Sequence, residues 1–224
     1  MWQENYDNLL VPPIPRYLIG FGRQLAGIPA SQIGPAWDFS LDEAANAAAG
    51  NIPSPDLLYA ARLPMVLLTV LSGTIFFGMV RTAAGRLAGW AFLVLFCSPY
   101  FLDQLTRAMA EAPLTAFTAA SMVCGLIAIN QDGQNEIGRY LALLGMGVFI
   151  GLAGASKLTG LVNIFPGLCI VGILAYRAPR GHRITFLIRG ISLVVFATMI
   201  IFVLVNPYLY PNPLGNMVRM LKFR

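Results

Sequence analysis

Leu63–Val80, LPMVLLTVLSGTIFFGMV, runs through 18 residues without one charged side chain. That is close to the roughly 20 apolar residues a helix needs to cross the hydrocarbon core of a bilayer. Five further uncharged runs follow it: Leu87–Leu102, Pro113–Asn130, Tyr140–Ala155, Leu158–Tyr176 and Gly190–Val205. They are too long and too uniformly apolar for the alternating strands of a barrel. In lipid, moreover, only a helix satisfies its own backbone polar groups within one segment. The chain therefore reads as an all-α membrane protein of about six transmembrane helices.

The whole composition agrees. Of 224 residues 57% are hydrophobic and 11% charged, against roughly 25% charged in a soluble domain, and the mean hydropathy is +0.69. A water-soluble domain is excluded, as is a disordered chain, which needs low hydrophobicity and high charge. Cys97, Cys124 and Cys169 all fall inside apolar runs, where they read as small packed hydrophobes and not as a disulfide framework. The net charge of +5 does not imply nucleic acid, because the basic residues are distributed among the inter-span loops instead of forming one solvated face.

That distribution sets an orientation. If each run crosses once, one side of the membrane holds Arg81, Arg86, Arg139, Arg177, Arg180, Arg183 and Arg189 against only Asp132 and Glu136. The other side balances eight basic residues with eight acids, and five of those eight bases lie in the terminal segments. The arginine-rich loops are expected in the cytoplasm, so both termini of this sequence are expected outside it, in a multi-pass protein of the cell membrane. Met1–Asn8 has no basic stretch followed by an apolar one, so it is not read as a signal peptide. An extracytoplasmic start with no preceding span is expected either of a piece of a longer protein whose first span is missing, the favoured reading, or of an N-terminal 60 residues that translocate with the first helix.

Three regions follow: residues 1–61 as an extracytoplasmic loop with interfacial helices, 62–205 as the six-helix transmembrane domain, and 206–224 as the start of a second extracytoplasmic loop. In the first, Pro15–Gly27 places Tyr17, Leu18, Phe21 and Leu25 on one face, as an interfacial helix requires. Ser40 and Glu43 read as a capping box for a short helix over Leu41–Ala49 that Gly50 closes. Ser54 followed by Pro55 reads as the cap and first position of the first span.

Motifs of soluble chemistry are missing. His182 is the single histidine, which leaves no basis for a histidine metal site or a catalytic triad. No glycine-rich phosphate loop ending in lysine occurs. The glycines of GLAGASKLTG read as close helix packing. The informative groups lie on the expected extracytoplasmic side. Asp103, Arg107 and Glu111 recur every fourth residue, so a helical DQLTRAMAEAP puts all three on one face. Such a ridge is either a solvated surface or a functional set, since charge at membrane depth tends to mark function. Lys157 occupies so short a turn that its ammonium must be near the outer boundary, as a snorkelling interfacial lysine or as a partner for a lipid phosphate. Arg16 reads equally as an interfacial anchor.

The segments NYDNLLVPPIPRYLIG (5–20), ARLPMVLL (61–68), SPYFLDQLTRAMAEAPLTAF (98–117), GLAGASKLTG (151–160) and NPYLYPNPLGNM (206–217) together resemble the protein O-mannosyltransferase family. These are GT-C-type membrane glycosyltransferases that use polyprenyl-phosphate sugars, and the segments occur in that family's order. The resemblance implies an enzyme that takes a sugar from a lipid phosphate on the extracytoplasmic face and passes it to an acceptor. Arg16 corresponds to the basic residue after the family's paired prolines, Arg107 and Glu111 to its Arg-x-x-x-acid motif, and Lys157 to a basic residue in a later outer turn suited to the donor phosphate. All four are read as substrate-binding, and Arg16, Arg107 and Lys157 are expected to line one outer cavity. Two departures stand out: Val11 replaces a basic or histidine residue of many relatives, and the family's catalytic acid, usually Asp-Glu after a first span, has no counterpart here. Asp42 and Glu43 lie downstream of the prolines and do not take its place. The catalytic residue is thus unknown, a divalent cation enters as cofactor only through the resemblance, and other membrane subunits are conceivable partners. The alternative is a non-catalytic membrane scaffold derived from the same fold; a transporter ranks third, for want of charges or paired broken helices within the spans.

The orientation has a direct test in a background without the three native cysteines. Single cysteines beside Arg180 are expected to label only once the cytoplasm is opened, and cysteines beside Gln32 to label from outside. The reverse pattern would overturn both the orientation and the glycosyltransferase reading.

Overall fold

The computed structural model describes residues 13–35, 38, 40–107, 109–131, 135–210 and 212–222. Val11, Pro12, Asp132 and the acids Glu4 and Asp7 lie outside the described residues. Ten helices are described: α1 (Ile14–Leu25), α2 (Glu43–Ala48), α3 (Pro55–Ala84), α4 (Arg86–Phe96), α5 (Pro99–Thr106), α6 (Glu111–Asn130), α7 (Glu136–Ser156), α8 (Ile164–Arg177), α9 (Arg183–Leu204) and α10 (Pro213–Lys222). Among the described residues five helical segments are long and apolar enough to cross a membrane, and a sixth is reached if α4 and α5 count as one span.

The expected second span, Leu87–Leu102, is a broken one: α4 and α5 meet at a bend of 65°. Ser98 takes an extended conformation and Pro99 begins the new helix, as expected where proline disfavours helical geometry in the residue before it. The fifth expected span, Leu158–Tyr176, opens with a 3₁₀ segment, Leu158–Asn163, before α8. The others lie within α3, α6, α7 and α9. Gly85 turns the chain from α3 into α4 at φ +90°, a region L side chains rarely enter.

α7 is the centre of the bundle. Leu143, Met146 and Ile150 are buried against Val171 and Leu174 of α8 and Val194 of α9. Glycines let the helix backbones approach: a Cβ on Gly147 would lie 2.7 Å from the Val194 carbonyl oxygen, and one on Gly151 equally close to that of Thr198. The Thr198 hydroxyl uses this proximity to donate to the Gly147 carbonyl at 3.0 Å. The packing role read for the glycines of GLAGASKLTG holds, since Gly154 abuts Leu161 and Gly160 abuts the Ala153 backbone.

α3 has 30 residues and is therefore roughly 45 Å long, well over the roughly 30 Å of a hydrocarbon core. Pro64 lies inside it. Having no N–H, Pro64 leaves the carbonyl of Ala60, four residues earlier, without its helical donor. At that point α1 crosses, with Gly22 so close that a Cβ would stand 2.2 Å from the Ala60 oxygen and under 3 Å from the Pro64 ring. At its other end Ile14 is buried in a cluster with Ala155, Phe202 and Leu209. Thus α1 forms a strap across one end of the bundle. Its packed edge is Ile14, Leu18 and Gly22, while Tyr17, Phe21 and Leu25 remain exposed; of the apolar face read from the sequence, Leu18 is thus corrected to a packing residue and the other three point away from the bundle.

The short helix also differs from its expected start. Asp42, and not Ser40, caps α2, accepting from Ala45 N at 2.8 Å. Ser40 instead donates through its hydroxyl and its amide to Asp38, and these bonds hold the Asp38 carboxyl below its ordinary pKa, the hydroxyl contributing most. Both residues are good caps, and the buried Asn46 decides between them. Its side-chain amide nitrogen lies within hydrogen-bond distance of the Asp38, Leu41 and Asp42 carbonyls, and its oxygen accepts from Asp38 N and Asn51 Nδ2.

The strap yields a paired prediction. Gly22→Ala should destabilise the protein by about 1–3 kcal/mol and raise hydrogen exchange over residues 14–25. Gly20→Ala, two residues away with nothing within 4 Å of its added Cβ, should be neutral or stabilising by up to about 1 kcal/mol. Equal effects would mean that α1 is not seated through Gly22.

Candidate functional site

One end of the bundle gathers the Ser54–Pro55 start of α3, Arg107 at the end of α5, the start of α6, the Lys157 turn and the segment after α9, with α1 lying over it. The expectation that Asp103, Arg107 and Glu111 share one helix face is corrected here. α5 ends at Thr106, Arg107 takes an extended conformation (ψ 152°), and Glu111 opens a separate helix. Pro113 accounts for the new start, since proline fits a helix's first turn but not a continuous helix running into it.

The break divides the triad into two ion pairs. Arg107 pairs with Asp103, one turn back, both side chains about half exposed. Glu111 pairs across 46 residues with Lys157, whose Nζ donates to Oε1 at 3.0 Å. This second pair is the better sheltered, with Lys157 38% and Glu111 28% exposed. The other carboxylate oxygen of Glu111 is buried with no hydrogen-bond partner. A buried acceptor left without a donor costs free energy unless something else meets it, so Glu111 has capacity for a further donor.

The turn carrying Lys157 is firmly built. Lys157 leaves α7 in an extended conformation and the 3₁₀ segment begins at once. Asn163 closes that segment, donating to the Gly160 carbonyl and to Thr118 Oγ1 of α6, both at 2.9 Å. Leu158 and Leu161 pack into the cluster that buries Ile14, so the start of α1 and the segment that follows Lys157 share one apolar cluster. Tyr17 reaches the Val205 carbonyl with its hydroxyl at 3.3 Å, and partial burial, with Tyr210 nearby, raises its pKa.

Arg16, two residues beyond Ile14, lines a cavity of about 410 Å³ between α1 and the start of α3, walled by Ile19, Ile33, Pro53, Leu57 and Leu58. Neither Lys157 nor Arg107 is among its lining residues. Arg23 is, and its Nε is buried without a hydrogen-bond partner. Sequence reading passed over Arg23. The available signal was its spacing of seven from Arg16, two helical turns, which puts both guanidinium groups on one side of α1. Among the described residues no group of three His, Cys, Asp or Glu side chains stands close enough to hold a metal ion, so the divalent cation raised by the resemblance has no protein-built site there and no chemical step is assigned to one.

The chain matches the family model of dolichyl-phosphate-mannose-protein mannosyltransferases over residues 2–214, nearly its whole length, and it belongs to that family. No curated protein and no solved structure matches it. The protein is therefore a mannosyltransferase-like, membrane-embedded member of a glycosyltransferase family, in agreement with the motif resemblance.

The Glu111–Lys157 pair is open to a double-mutant cycle. Lys157→Met, which strands a largely sheltered carboxylate, should destabilise more than Glu111→Gln, which leaves a lysine able to reach water. The coupling between them should be about 0.5–1 kcal/mol, read from unfolding in one detergent. No coupling would reduce the pair to a chance approach.

Proposed function

We propose that the Lys157 end of this chain binds the phosphate of a polyprenyl-phosphate sugar at the extracytoplasmic face, and that the protein transfers the sugar from it to an acceptor hydroxyl. The observation that carries the reading is the Glu111–Lys157 pair, drawn from separate helices, sheltered, and incomplete at Glu111 Oε2. Family membership supports the donor class.

When the bond between sugar and phosphate breaks, negative charge grows on the departing phosphate. A cation held in place beforehand stabilises that charge without reorganising during the reaction. Lys157 suits the task because an ammonium has three N–H donors: one is used on Glu111, which fixes the side chain, and two remain for phosphate oxygens. Glu111 is thereby a positioning residue for Lys157, with its second oxygen left to accept from a sugar or acceptor hydroxyl. Arg107 and Arg16 contribute positive charge from the neighbouring turn and from the strap. The carboxylate that would activate the acceptor hydroxyl is assigned to no residue of this sequence.

The same pair supports a second reading. A lysine already matched by a carboxylate also serves as a clasp between α6 and α7, as a non-catalytic membrane scaffold would need. The two readings separate in the full-length protein given a polyprenyl-phosphate mannose donor. Lys157→Ala is expected to lower kcat/KM by about 100-fold or more and to weaken binding of polyprenyl phosphate, with Lys157→Arg recovering part of both. Unchanged lipid-phosphate binding alongside a lowered Tm would leave the scaffold.

A further inference from the structure

At the end of the bundle away from Lys157, the last turns of α6 and α8 and the first turns of α7 and α9 enclose a cavity of about 860 Å³. Arg139, Arg177 and Arg189 line it, with Glu136 as the one acid among its lining residues. Among the described residues no salt bridge neutralises any of these arginines. Two are instead held by neutral groups: Arg177 donates to the Ile129 carbonyl at 3.3 Å, and Arg139 to the Gln131 carbonyl at 3.4 Å. The Arg139 guanidinium also lies 5.7 Å from the centre of the Phe186 ring, which itself packs on Tyr140. The Arg139 Nε is buried with no hydrogen-bond partner.

Three guanidinium groups around one concave, aromatic-floored space repel one another, and although Arg177 and Arg189 are exposed, the partial burial of Arg139, with its Nε shut away from water, adds to that cost. Carbonyls and a ring face fix their geometry but bring no counter-charge. What completes the site is an anion with several acceptor oxygens, and a phosphate fits the planar donor fork of arginine. On α9, which carries Arg189, Ile184 and Ile188 are 73% and 60% exposed one turn apart, an apolar flank along which acyl chains can lie.

We propose that this cavity is a binding site for a phosphate-bearing anion, filled by the headgroup of an anionic phospholipid from the adjoining leaflet. The site is remote from Lys157 and does not depend on the transferase reading. It also gives the loops rich in arginine a specific ligand beyond their general attraction to a charged membrane surface.

The test uses the whole chain in nanodiscs of mixed phosphatidylglycerol and phosphatidylcholine, with retained lipid counted by native mass spectrometry. Wild type is expected to retain phosphatidylglycerol preferentially, and Arg139→Gln/Arg189→Gln to lose that preference by about fivefold per arginine removed. Arg189→Gln alone, an exposed substitution, serves if the double variant does not fold. Arg81→Gln/Arg86→Gln, outside the cavity at the same end, should change nothing. A Tm rise of wild type in inorganic phosphate, absent from the double variant and without lipid preference, would assign the same cavity to a soluble phosphate. Equal loss in both double variants, or neither lipid preference nor phosphate response, overturns the proposal.

Discussion

The end of the molecule that carries Arg16 and Lys157 depends on one carbonyl without its donor. Pro64 removes the hydrogen bond that the Ala60 oxygen would receive within α3, and Gly22 brings the backbone of α1 against that oxygen where any side chain would collide. The contact lets a helix lie across the bundle instead of beside it. Its far end is then fixed by Ile14 in the cluster with Ala155, Phe202 and Leu209, so the strap links the first span to the seventh and ninth helices. The proline lies in one of the segments that carry the family resemblance (61–68) and the glycine two residues beyond another (5–20), and the strap gives a physical reason for finding both in one chain.

The two ends of the bundle treat charge differently. At the Lys157 end, cations are matched by acids at short range: Lys157 by Glu111 and Arg107 by Asp103. At the other end, arginines rest on carbonyls and on an aromatic ring. Matched charges can be redirected by a substrate that replaces one partner, whereas arginines that form no ion pair among the described residues suit the anion proposed for their cavity. The asymmetry is the same one that, read as loop composition, underlies the orientation expected from the positive-inside rule.

Much of this was legible in the sequence, because uncharged runs of membrane length admit few structures. The long apolar helices, the Ser54–Pro55 start of α3 and the helix of α1 all follow from local chemistry. What escaped depends on competition or on distance. Ser40 lost the cap to Asp42 because a buried Asn46 organises the loop from six residues away. Spacing by fours put Asp103, Arg107 and Glu111 on one face, but spacing assumes a continuous helix, and Pro113 signals a new one. The partner of Glu111 lay 46 residues on, beyond any periodicity: the short turn marked Lys157 as a cation at the same outer boundary but not as the group Glu111 would pair with. Arg23 was passed over because an arginine on an amphipathic helix looks like a solvated face until the α3 wall beside it is known.

The strap also sets an order of events during synthesis. Ile14 is buried among residues as late as Leu209, and Tyr17 bonds a carbonyl 188 positions away, so α1 cannot take its final place until α9 has been made and inserted. Throughout that interval its packing edge has no partner from the late segments. The exposed Tyr17, Phe21 and Leu25 give it somewhere to wait, since an amphipathic helix rests on a membrane surface without a protein to dock on. The first helix described in the chain is therefore among the last to be fully seated, since the cluster around Ile14 is completed, and the acceptor of Tyr17 supplied, by residues made after α9.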